Sequence, residues 1–88
     1  MKTIEIKNPN GETEGNIYQY RRGFYHTTQT DYVHGPFKTA DQALKEWCDT
    51  HRKDPAYFTA EKSHDGISGN MRPKIREQHK RVTESQSL

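Results

Sequence analysis

The sequence predicts an α+β fold: a small antiparallel sheet of three to four strands, one helix packed on it, and a basic helix at the C-terminal end. Three observations predict this. Short runs rich in β-branched and aromatic residues alternate with Gly, Asn and Pro from Thr3 to His34. One amphipathic helical repeat follows, from Ala40 to His51. A cation-rich repeat opened by a proline closes the pattern, from Arg72 to Thr83.

Each element has its own signature. Thr3-Ile4-Glu5-Ile6-Lys7 alternates, so Ile4 and Ile6 share a strand face. Asn8-Pro9-Asn10-Gly11 is a turn, and Glu12 to Gly15 reads as a polar loop. Ile17 to Arg21 is the second strand, with Tyr18 and Tyr20 on one face. Arg22-Gly23 is the hairpin tip, and Phe24 to Thr28 returns antiparallel. Gln29-Thr30-Asp31 is a second turn before a strand at Tyr32-Val33-His34, and Pro36, which has no N–H, is expected to end the pairing. Thr39 and Gln42 form a capping box for the helix, whose inner face carries Ala40, Ala43, Leu44, Trp47 and Cys48. Asp54-Pro55 stops it. Ala56 to Ala60 fits a short strand or a packed loop. Ser63 to Asn70 is turn-rich, and Thr83 to Leu88 is expected to be disordered. The expected core is Ile4, Ile6, Ile17 or Tyr18, Val33, Phe37, Ala43, Leu44, Trp47 and Phe58.

Composition bounds what the chain can be. Its 88 residues suit one small domain, and with 28% apolar and 30% charged residues a core running through the whole chain is not expected. The division predicted is a sheet-plus-helix domain over 1–62, a linker over 63–70, and a basic helix and tail over 71–88. Aromatic residues lie between Tyr18 and Phe58, where large rings can build a core that aliphatics cannot. The single Cys48 rules out an internal disulfide, which points to a reducing cytoplasm. Met1 to Glu5 lacks an apolar signal region, and no run approaches the ~20 apolar residues of a membrane span. Net charge is only +2, so its distribution matters more than its sum.

Two constellations point to binding. Arg72, Lys74, Arg76, Lys80 and Arg81 give the last helix a broad cationic face suited to phosphates or to an acidic groove; the plain alternative is a solvated surface helix. Tyr18, Tyr20, Arg21, Arg22, Phe24 and Tyr25 form an aromatic and basic hairpin. It either presents stacking rings to a partner or has both faces covered, by the Trp47 helix on one side and by Tyr57, Phe58 or the tail on the other. Candidates for chemistry are thinner. Cys48 and His51 stand three apart on one helix face, where a cysteine hydrolase would need an orienting group as well; a buried thiol beside an imidazole is the simpler reading. No cofactor or metal is expected: there is no second cysteine for a zinc site, no phosphate loop and no nucleophile elbow.

The run from Tyr18 to Lys53, with Phe37-Lys38-Thr39 and Ala43, resembles the arm-type DNA-binding domain of phage and transposon integrases. That resemblance implies a three-stranded sheet and helix, with the sheet entering a DNA groove. In size and composition the chain is also similar to small bacteriophage accessory proteins of the anti-CRISPR and anti-restriction type, which implies a non-enzymatic inhibitor of a host defence complex in the host cytoplasm. The expectation is therefore a binding protein for a nucleic acid or nucleoprotein complex, without a membrane partner. Arg21, Arg22, Arg72, Lys74, Arg76, Lys80 and Arg81 would supply charge, and Tyr20 and Tyr25 would supply stacking or anchoring area.

Overall fold

The computed structural model describes residues 1–27 and 32–86. The elements are β1 (Lys2–Lys7), β2 (Thr13–Tyr20), β3 (Gly23–Thr27), β4 (Val33–Phe37), α1 (Ala40–Thr50), a single 3-10 turn (Pro55–Tyr57), β5 (Thr59–Asp65) and α2 (Arg72–Gln86). The strands form one antiparallel sheet in the order β4-β3-β2-β1-β5. The fold is α+β, with one more strand than the four expected. The expected turn at Gln29 to Asp31 lies outside the described residues.

Side chains alternate across a strand, so neighbours in β2 report opposite faces. Ile17 belongs to a cluster with Ile6, Ala43, Leu44, Trp47 and Cys48, whereas Tyr18 belongs to one with Tyr20, Tyr25, Ile67 and Ile75. The sheet is thus the middle layer, with α1 on one face and α2 on the other. The first cluster contains most of the expected core, with Ile4, Phe37 and Phe58 packed at its margin. Tyrosine rings supply most of the second, which explains how a chain so poor in aliphatics covers both faces.

Helix α1 starts as its sequence dictates: Thr39 Oγ1 accepts from the Gln42 amide at 3.1 Å. The Gln42 side chain reaches one residue further back than a capping box requires and accepts from the Lys38 amide at 3.1 Å. Trp47 lies against β2 at Gly15, where a Cβ would sit 2.7 Å from the indole nitrogen. That close approach requires glycine, and it explains why a stretch that looks like a loop is strand. Thr13 to Asn16 pair with β1, and Lys7 donates to Thr13 Oγ1 on the polar side.

Three further expectations are corrected. Pro36 does not end the pairing, because β4 runs on to Phe37 opposite Phe24. As the outermost strand, β4 has an unpaired side where a missing N–H costs no ladder bond. Ser63 to Asp65 are not linker; they belong to β5, which pairs along the free side of β1 and crosses the boundary expected at 62. A strand at the rim needs few apolar residues, so its polar composition disguised it. Gly66 N–H then donates to Met1 O at 2.9 Å, and Ile67 is buried under the second face. Finally, α2 continues through Thr83 to Gln86 instead of fraying at Thr83, whose hydroxyl donates to His79 O at 2.8 Å.

Candidate functional site

The inward stripe of α2 comprises Ile75, His79 and Val82, spaced to follow one face of the helix. Ile75 is fully buried among the tyrosines that β2 and β3 contribute to the second cluster, and Gln78 Nε2 donates to Gly35 O at 2.9 Å, which holds the helix along β4. Arg76 and Lys80, one turn apart, consequently flank the side that faces the β2–β3 turn. That turn consists of Arg21 and Arg22, since Tyr20 pairs directly with Gly23. Arg21 holds a left-handed backbone with φ 56°, a conformation that costs a residue with a side chain about 1–2 kcal/mol. Strain of this kind concentrates where a side chain must be aimed.

Between turn and helix runs a groove of about 590 Å³, lined by Tyr20, Arg21, Arg76, His79, Lys80 and Thr83. A smaller hollow of about 180 Å³ lies beside it, lined by Arg22, Gly23, Pro36, His79, Val82 and Thr83. The two share His79 and Thr83 and so form one basic depression around the hairpin tip. Among the described residues, neither has a carboxylate in its lining.

The electrostatics show how close these groups are. The Arg21 guanidinium lies over the Tyr20 ring, 5.6 Å from its centroid. Hydrogen bonding from Arg21 to the Tyr20 hydroxyl, reinforced by Arg76, holds that phenol below the ordinary tyrosine range. Tyr25 is shifted the other way: burial, with Tyr20 nearby, raises its pKa. Its hydroxyl meets His79 Nδ1 at 3.0 Å, while the His79 ring stands edge-on to Tyr20 at 5.4 Å.

Of the residues singled out from sequence, the fold brings Tyr20, Arg21, Arg76 and Lys80 into the groove and places Arg22 beside it. It does not bring the others. Tyr25 is fully buried beneath α2 and offers no ring for stacking, and Tyr20 is only 8% exposed. The tail covers this sheet face, so the face that the integrase-arm resemblance would insert into DNA is occupied by the protein's own helix. Arg72 lies at the start of α2, and its Nε is buried without a partner among the described residues. Lys74 and Arg81 lie on the opposite flank with Glu77, which pairs with Arg81 at 3.5 Å. His79 and Thr83 were missed as site residues. The available signal was spacing: His79 falls one turn after Ile75 on the inward stripe, which puts it at the seam between helix and hairpin.

The remaining candidates, Cys48 and His51, lie at the C-terminal end of α1 and its cap. Cys48 is fully buried, and burial raises the pKa of its thiol, the reverse of what a thiolate nucleophile needs. His51 stacks on Trp47 at 4.5 Å, and its Nδ1 lies 2.8 Å from Trp47 O. Among the described residues no group of three His, Cys, Asp or Glu side chains could hold a metal ion, and no helix is long and apolar enough to cross a membrane. No protein family, curated protein or solved structure matches the chain. The groove must therefore be read from its own chemistry.

Proposed function

We propose that this protein is a binding module for the phosphate backbone of nucleic acid, free or within a nucleoprotein complex. The observation that supports this best is the convergence of Arg21 and Arg22 from one turn with Arg76 and Lys80 from α2 on a depression with no carboxylate among the described residues of its lining. On the other flank of α2, Glu77 offsets Arg81, so the cationic character is one-sided. Cations that meet phosphates release condensed counterions, and that supplies affinity without base readout. An inhibitor of a host defence complex would make this same contact with the nucleic acid of that complex.

Fluorescence anisotropy with labelled single-stranded DNA, duplex DNA and RNA across a salt series tests the reading. Four phosphate contacts on a single strand give log K against log salt a slope of about −3. Arg21→Ala and Arg76→Ala should each reduce that slope by about 1, whereas Arg81→Ala should leave it nearly unchanged. Absence of binding to all three probes at low salt, or an equal effect from Arg81→Ala, overturns it.

A further inference from the structure

We propose that His79 is a hydrogen-bond donor to the bound phosphate, its Nε2–H aimed into the groove by the Tyr25 hydroxyl behind it. This rests on reading the groove as a phosphate site, and it names the oxyanion itself as what the site selects.

The argument starts in the core. Tyr25 is fully buried, and among the described residues its hydroxyl hydrogen-bonds with His79 Nδ1 at 3.0 Å. Burial keeps the phenol protonated. A buried O–H whose proton finds no acceptor loses the full value of its hydration, so the proton belongs on the line to Nδ1. An imidazole whose Nδ1 accepts carries its N–H on Nε2. The edge-on contact with Tyr20 at 5.4 Å holds the ring plane. His79 lines both halves of the depression.

The groove then presents donors almost throughout: Arg21, Arg76, Lys80, the Tyr20 hydroxyl and His79 Nε2–H. Such a lining favours a ligand that only accepts and carries negative charge, as a phosphate ester does. Tyr25 never touches the ligand; it is a positioning residue that acts through the imidazole.

The test uses the full chain, nitrogen-15 labelled, with inorganic pyrophosphate as the probe. Long-range nitrogen–proton spectra should show the Nε2–H tautomer of His79 in the free protein, and saturating pyrophosphate should move its Nε2 resonance. The Nδ1–H tautomer, or an Nε2 resonance that stays put while the Arg21 and Arg76 side-chain signals move, overturns the role of His79 and leaves the phosphate groove standing. If none of these signals moves, both readings fall. Variants give a second readout with a short oligothymidylate. His79→Asn, which places no nitrogen at the Nε2 position, should weaken binding about 3- to 10-fold, and His79→Gln, which restores an N–H there, should recover most of it. Tyr25→Phe should leave the thermal midpoint near the parent value yet mix the tautomers. Equal binding by the Asn and Gln variants overturns the proposal.

Discussion

At the scale of single residues, His26 has the most to say about stability. Its ring is fully buried, stacked on His34 at 4.9 Å and on Phe37 at 5.7 Å, and neither nitrogen has a partner among the described residues. Burial, with His34 and His51 adding to it, lowers its pKa from 6.5 to about 4. The unfolded chain therefore binds a proton that the folded chain refuses. Stability is complete above the unfolded pKa and is lost as pH falls from 6.5 toward 4, by up to about 3 kcal/mol. Urea midpoints at a series of pH values should fall through that window, and His26→Phe should flatten the fall. An unchanged profile in that variant would place the acid sensitivity elsewhere. The orientation of His26 was legible, because alternation sets it on the same face as Phe24; its isolation was not, because period says nothing about partners. Tyr20 and Tyr25 teach the same lesson. Their shared neighbourhood could be read from the hairpin, whereas the helix lying over them was one of several covers that the sequence left open.

At the scale of elements, α1 was legible almost to the residue, since cap, stripe and stop all agree. Its C-terminal end holds one surprise. Lys53 N–H donates to Cys48 O at 2.7 Å and Arg52 N–H to Asp49 O at 3.2 Å, a Schellman closure in which Arg52 takes the left-handed position at φ 55°. Glycine ordinarily fills that place. Arg52→Gly should therefore stabilise the protein by about 0.5–1 kcal/mol and raise the thermal midpoint by a few degrees. A lower midpoint would mean that the arginine side chain contributes more than its backbone costs. β5 and the full length of α2 were harder to read. A rim strand with one wet face carries little apolar signal. The stripe of α2 is thin because much of what it covers is tyrosine already present in the sheet, so the helix itself needs few large side chains.

At the scale of the whole molecule, the fold class was visible in the order of its segments, but the sandwich was only one of the alternatives left open, because the tail also looked detachable. Its burial argues otherwise. A chain ending at Asn70 should uncover Tyr18, Tyr20 and Tyr25, bind a hydrophobic dye and lose cooperative unfolding. Cooperative melting at the parent midpoint would show that α2 is an appendage. The candidate site divides along the same line: its charges could be found in the sequence, whereas their meeting place exists only because α2 folds back onto the hairpin. The pairing of β1 with β5, which sets Lys2 opposite Asp65, has a further consequence in time. Contacts so distant along the chain form late, since closing a long loop costs entropy before it is repaid. At a translation rate of about 5–20 residues per second, β1 waits several seconds on the ribosome before its neighbour is made. The nascent chain, more than the finished protein, is where this sheet is open to a wrong partner.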